Sequence, residues 1–263
     1  MSQPAKVRRS FLSKLRPYLG SLRIVLKKTP VSFTHFPPRE PSDNEKHCVI
    51  LHGWAADGDS MRLLSGALRD LEVAADRHFW IAHYDTTWTT LEASAKRLVS
   101  ELQKQPHDFS QTLLIGYSMG GLVARRMIVE GFSCHDLLSL SAPHQGTAWW
   151  IPEALFGPFL RGPRSLNFAS RAIDRLKNHP IDQARRDSYH FLAMTYKDSL
   201  GEHNHDGIVT KKSALGEELG ELASRQTMRL EYSGLATFDS HWRCMFPAYV
   251  PEFIEKGEEL MKK

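Results

Sequence analysis

The run Leu113-Leu114-Ile115-Gly116-Tyr117-Ser118-Met119-Gly120-Gly121 constrains this chain more than any other stretch. An apolar segment breaks there at a serine flanked by small residues and resumes as Leu122-Val123-Ala124-Arg125-Arg126-Met127-Ile128. The pattern predicts a buried strand, a sharp turn and a helix. Gly116 and Gly120, two residues either side of Ser118, are expected to let the chain fold tightly enough to hold the serine in a strained conformation beyond the strand's carboxyl end. This is a G-x-S-x-G nucleophile elbow, and its requirement for a strand before and a helix after is met by the residues themselves.

The rest of the body alternates in the same sense. His47 to Leu51, His78 to Tyr84, Thr112 to Ile115, Leu137 to Ser141, Tyr189 to Thr195 and Met228 to Tyr232 read as strands. Ser60 to Val73, Leu91 to Gln105, the segment after the elbow and a closing segment from about Tyr249 read as helices. Short apolar runs alternating with amphipathic helices imply an α/β fold with a mostly parallel central sheet of about six core strands flanked by helices. The 263 residues suffice for one large domain. The expected organisation is a basic extension over residues 1–45 and an α/β domain over 46–263, with Val31, Phe33 and His35 alternating as a short edge strand ended by Pro37-Pro38.

Charge is unevenly placed. Residues 1–40 hold nine Lys or Arg and one acid, a surplus of eight, so a formal net charge of +4 leaves −4 on the remainder. A basic arm on an acidic body argues against nucleic-acid binding. In the arm, Leu12, Leu15, Leu19, Leu22 and Leu26 recur at spacings of three and four between Lys14, Arg16, Arg23, Lys27 and Lys28. This pattern suits a flexible or locally packed solvated extension first, peripheral contact with an anionic membrane surface second, and the absence of acids before Glu40 leaves an organelle-targeting peptide open. No apolar run approaches the ~20 residues of a membrane span. Three widely spaced cysteines, Cys48, Cys134 and Cys244, fit buried thiols in a reducing compartment, and the expected location is cytoplasmic or membrane-peripheral. The sequence carries no signal of oligomeric state.

A serine hydroxyl at neutral pH needs a base within hydrogen-bond reach, and the base needs an anion to fix its tautomer. Of 13 histidines, His241 in Phe238-Asp239-Ser240-His241-Trp242 lies after the last strand and before the closing helix, where it can turn back over the sheet's carboxyl edge. Asp206 in His205-Asp206-Gly207-Ile208-Val209 follows a strand in the same way, and Gly207 implies a tight turn presenting the carboxylate. Asp136, Asp198 and Asp239 are rivals on position. His203, His205 and Asp206 could instead form part of a metal site, but three ligands so close in sequence rarely close a shell without a distant fourth. The expected metal and cofactor requirement is none. For a developing oxyanion, the expected donors are the backbone N–H groups of Met119, next after the nucleophile, and of Trp54, which follows the His52-Gly53 pair ending the first core strand. Gly53 is expected to permit the backbone turn there.

Together His52-Gly53-Trp54, Gly116-Tyr117-Ser118-Met119-Gly120-Gly121, Ser141-Ala142-Pro143-His144-Gln145-Gly146-Thr147, Asp206-Gly207-Ile208-Val209 and His241 resemble the α/β-hydrolase superfamily, and within it bacterial lipases and related lipid-directed serine esterases. The Ala142-Pro143-His144-Gln145-Gly146-Thr147 stretch is the most discriminating piece. The resemblance runs from about residue 47 to 245. It implies Ser118 as nucleophile, Asp206 as acid, His241 as base, Trp54 and Met119 as the oxyanion hole, and a structural or rim position for His144. The loop pattern that marks a calcium site in some of these lipases does not follow His241.

Between residues 148 and 188 the alternation lapses, and Trp149, Trp150, Ile151, Leu155, Phe156, Phe159 and Leu160 crowd together. This segment is a candidate lid or cap, with Trp149, Trp150, Phe156 and Phe159 as candidate substrate contacts, or else a small helical cap without substrate contact. Its basic residues, Arg161, Arg164, Arg171, Arg175 and Lys177, could favour anionic head groups, and fit a solvated face better. The expected activity is hydrolysis of a lipid-like ester with an apolar acyl part, through an acyl-enzyme. A thioesterase or acyltransferase would use the same residues, and a non-catalytic binding protein on this fold is the alternative from another class.

Overall fold

The computed structural model describes residues 28–40, 45–147, 161–166, 170–232 and 240–262. Its sheet takes the order β1 (Ser32–Phe36), β3 (Arg77–His83), β2 (Lys46–Leu51), β4 (Thr112–Tyr117), β5 (Asp136–Leu140), β6 (Tyr189–Asp198), with β8 (Ser224–Glu231) along the far side of β6. β2, β3, β4, β5, β6 and β8 are parallel, matching the six strands read from the sequence. β1 is antiparallel to β3, with Ser32 opposite His83 and Phe36 opposite Phe79. This is the short edge strand expected around Val31, Phe33 and His35, and the pairing puts it on the sheet. β7 (Gly201–His203) folds back antiparallel on the end of β6 and is too short to show as a pattern.

Alternating side chains on each strand supply two cores, as the period of a strand dictates. Val49 and Leu51 face one side, with Leu114, Leu137 and Phe191. There they meet α2 (Leu91–Leu102) and α3 (Met119–Val129). Cys48 and Ile50 face the other, with Ile81, Ile115, Leu138 and Leu192, packed on α1 (Arg62–Arg69) and the last helix, Pro251–Met261. At about 25 cal/mol per Å² of apolar surface, burial on both faces is the main force holding the strands in register.

Three differences from the sequence reading have local causes. β8 begins at Ser224, four residues earlier than expected, because it is an edge strand whose Gln226 and Thr227 are exposed and need no apolar side chains. The helix expected over Ser60 to Val73 is a 3-10 turn, then α1, then a break at Leu71, which is extended at φ −64° and ψ 139°. The Arg39 guanidinium holds the Leu71 carbonyl at 2.7 Å, a tertiary contact that local propensity does not register. The helix after Thr90, whose hydroxyl caps Ala93 N–H, ends at Leu102 rather than Gln105.

Within 148–188, three short helices are described: α4 (Arg161–Arg164), α5 (Arg171–Lys177) and α6 (Pro180–Ala184). The expected lid aromatics Trp149, Trp150, Phe156 and Phe159, and the amphipathic arm before residue 28, lie outside the described residues. Among the described residues no helix is long and apolar enough to cross a membrane.

Candidate active site

Ser118 sits where β4 stops and α3 starts, at φ 53° and ψ −126°. A non-glycine residue in such a conformation costs about 1–3 kcal/mol and persists only where its surroundings fix it. They do: Ser118 N–H donates to the Leu140 carbonyl at 2.9 Å, tying the turn to β5, and Gly121 N–H donates back to the Ser118 carbonyl at 3.0 Å. Neither Gly116 nor Gly120 has positive φ. Their value is proximity. A methyl on Gly116 would meet Gly121 Cα at 2.5 Å, and one on Gly120 would meet the Leu51 carbonyl oxygen at 2.4 Å.

Gly53 follows the same rule and departs from the sequence reading. It does not supply a positive φ; Ala55, at 56°, does. A methyl on Gly53 would lie 2.8 Å from Ser118 Cβ and 3.3 Å from its hydroxyl oxygen, so the glycine lets the backbone preceding Trp54 lie against the nucleophile. The Tyr84 hydroxyl donates to the His52 carbonyl at 2.5 Å, and His52 Nδ1 donates to the Gly53 carbonyl at 2.9 Å. Burial pushes the His52 pKa down to about 4, so the imidazole is neutral near pH 7 and serves as a fixed brace. Met119 is the first residue of α3, where a helix leaves its N–H without an intrahelical acceptor.

His241 lies in a four-residue helix, α7 (Ser240–Arg243), and is buried. Its Nε2 is 2.9 Å from Ser118 Oγ and its Nδ1 is 2.7 Å from Asp206 Oδ2. Asp206 is fully buried, and its other oxygen, Oδ1, accepts from Ile208 N–H at 3.0 Å and Val209 N–H at 2.7 Å. The turn that makes this possible uses Gly207 at φ 99° and closes with Asp206 N–H on the Val209 carbonyl. An ionised carboxylate only accepts, so Nδ1 carries the imidazole proton and Nε2 presents a lone pair to the serine hydroxyl.

Two supports escape sequence reading. The Tyr117 hydroxyl donates to the His241 carbonyl at 2.8 Å, and burial holds its pKa far above the usual phenol range, so it remains a donor. Nothing separates this tyrosine from an ordinary apolar residue in the elbow. The Asp206 turn is also braced by the Pro143-His144-Gln145-Gly146-Thr147 segment. Thr147 Oγ1 donates to the Ile208 carbonyl at 2.8 Å, and Ser213 Oγ bridges Gln145 N–H and the Gly146 carbonyl at 3.1 and 2.6 Å. His144 is fully buried, stacked on Phe191 and held between Ser139 and Arg125, whose guanidinium forms a two-bond pair with Asp182 at 2.9 and 2.6 Å.

Two of the rival carboxylates face elsewhere. Asp198 meets His203 Nε2 at 2.9 Å, Asp136 contacts His135 and His190, and Asp239 lies outside the described residues. His205 Nδ1 accepts from Gly207 N–H at 3.0 Å, so His203, His205 and Asp206 are each directed to a different partner. The cysteines are buried, and desolvation raises their pKa values.

The chain shares its fold with solved structures. It aligns with a Bacillus licheniformis lipase in mature form at TM-score 0.60 and 16% identity, over 86% of this chain and 98% of that one. An α/β superfamily hydrolase from Oenococcus oeni aligns at TM-score 0.53 and 10% identity, over 89% and 97%. The chain has the α/β-hydrolase fold. A gene product of Listeria innocua aligns with this hydrolase fold at TM-score 0.52 and 16% identity, over 84% and 95%. The sequence model of a family described as "Putative serine esterase (DUF676)" matches residues 41–157, a span that includes Ser118 and ends before Asp206 and His241. That description agrees with the expectation of a serine ester hydrolase. No curated protein matches the chain.

Proposed function

We propose that this α/β-hydrolase is a serine carboxylic-ester hydrolase working through an acyl-enzyme on Ser118. The observation that carries the reading is the buried chain from Ser118 Oγ through His241 to Asp206, with links of 2.9 and 2.7 Å, anchored on a serine held at φ 53°. His241 Nε2 takes the hydroxyl proton as Ser118 Oγ attacks the ester carbonyl carbon, and Asp206 stabilises the imidazolium. The N–H groups of Met119 and Trp54 receive the developing oxyanion, and such donors are each worth about 3–4 kcal/mol in the transition state. His241 then returns the proton to the departing alkoxide. A water deprotonated by His241 attacks the acyl-enzyme, releasing the carboxylic acid and restoring the serine hydroxyl.

The apolar side chains crowded between residues 149 and 160 favour a substrate with an apolar acyl part, such as a lipid-like ester. The test is hydrolysis of p-nitrophenyl esters from acetate to palmitate, with Ser118→Ala as the blank. Turnover should fall by about four orders of magnitude or more in that variant, with the highest kcat/KM on long chains. An optimum at acetate would overturn the apolar acyl reading. Ser118-independent turnover, or none on any ester beside turnover of acyl thioesters, would overturn ester hydrolysis as the activity.

A further inference from the structure

Ser118 lies beyond the carboxyl end of β4. A second group of titratable side chains sits at the opposite end of the strands, where His47 and His78 are paired at the start of β2 and β3. His35 comes from β1, opposite Trp80, and His107 from the connection leading into β4. The ring nitrogens of His35, His78 and His107 that can ligate a cation all lie within 4.8 Å of one another. His35 Nε2 and His78 Nδ1 are 2.9 Å apart. The geometry points to a divalent transition-metal site on His35, His78 and His107, with Glu45 orienting His107 from behind and the remaining position open to water.

The hydrogen bonds select these three imidazoles. Glu45 Oε1 is 3.1 Å from His107 Nδ1, so that nitrogen donates its proton to the carboxylate and Nε2 presents its lone pair, the usual carboxylate–histidine–metal relay. Glu45 is itself fixed by Asp108 N–H on Oε2 at 2.8 Å. His47 is excluded as a ligand although Glu45, His47 and His107 also cluster. Trp80 Nε1–H donates to His47 Nδ1 at 3.2 Å, which places the proton of the neutral ring on Nε2. That N–H is buried, 3.8 Å from Glu45 Oε2, so neither ring nitrogen of His47 offers a cation a lone pair.

The rings are also held in place. His35 stacks on Trp80 with centroids 3.9 Å apart, and His47 stacks on His78 at 5.0 Å. Two nitrogens on a tetrahedral ion with bonds of about 2.0–2.1 Å stand about 3.3 Å apart. His35 and His78 therefore need to separate by only a few tenths of an ångström. A set of imidazoles suits Zn²⁺, Co²⁺, Ni²⁺ or Cu²⁺ and not Mg²⁺ or Ca²⁺. The ion would fasten the edge strand β1 to β3 and to the loop before β4, remote from the nucleophile.

The experiment uses full-length, tag-free protein, stripped with EDTA and titrated with Co²⁺ while following its visible absorption, with Zn²⁺ as competitor. One Co²⁺ per chain is expected, displaced by Zn²⁺, with a thermal midpoint that rises as metal is added and Ser118-dependent ester turnover unchanged by EDTA. His35→Gln, at an exposed position, should weaken binding at least a hundredfold. Glu45→Gln should weaken it about 10- to 100-fold while keeping the stoichiometry, and His203→Gln should leave it unaltered. Absence of stoichiometric binding, or binding that survives His35→Gln and His78→Gln, would overturn the site.

Discussion

Replacing Asp206 by Asn isolates the electrostatic part of the proposed mechanism from its geometry. The two side chains have the same shape, and the amide oxygen can keep the Oδ1 place, accepting from Ile208 and Val209 N–H. The amide nitrogen then falls where Oδ2 was, 2.7 Å from His241 Nδ1. Two N–H donors cannot face each other at that distance, so the ring shifts its proton to Nε2, now directed at Ser118 Oγ across 2.9 Å. The lone pair that should accept the serine proton is gone. Loss of the correct tautomer in a Ser-His-Asp arrangement lowers kcat by about 10⁴, which is about 5 kcal/mol of transition-state stabilisation at about 1.36 kcal/mol per decade. Stability should change far less, by about 1 kcal/mol, because every hydrogen bond of the turn has a replacement. Asp206→Ala would be a poorer experiment, since it strands two buried N–H groups. The assay is steady-state hydrolysis of a p-nitrophenyl ester alongside a urea denaturation curve, with Asp198→Asn as the control carboxylate. An Asp206→Asn variant retaining kcat within tenfold of wild type, or an equal loss in the Asp198→Asn variant, would refute the assignment.

Two further predictions concern stability. His52 is neutral in the fold with a pKa of about 4, whereas in the unfolded chain it titrates near 6.5. The unfolded state therefore binds more protons between those values, and about 3 kcal/mol of stability present above pH 6.5 is lost as pH falls to 4. Urea midpoints measured from about pH 7 to 4 should show this, and His52→Asn, whose amide nitrogen replaces Nδ1, should flatten the dependence by that amount; an unchanged slope would disprove it. Arg125→Met leaves Asp182 charged and fully buried, with the Tyr189 hydroxyl at 3.2 Å and Arg186 at 3.5 Å as its remaining side-chain partners among the described residues. It should cost about 3–5 kcal/mol by chemical denaturation, and a second change, Asp182→Asn, should recover part of that loss.

What the sequence determined by itself was everything encoded by local periodicity. Five apolar runs became five buried parallel strands, and the glycines around Ser118 marked a turn, because a buried strand needs continuous apolar side chains and a tight approach needs residues without Cβ. Ser118, Asp206 and His241 were legible because each follows a strand and must emerge at the same edge. Which aspartate would reach His241 was a matter of direction, and only the folded turns sent Asp206 to His241 and Asp198 to His203. Gly53 was picked out correctly but for the wrong reason, since the space it vacates belongs to a residue 65 positions away in the chain. The imidazoles of His35, His78 and His107 were invisible altogether: they come from three separate segments with no ligand spacing, and are neighbours only because β1 and β3 pair and the loop before β4 ends beside them. Periodicity reports which face a residue takes on its own element, while contacts between distant segments exist only once strand order and register bring their ends together.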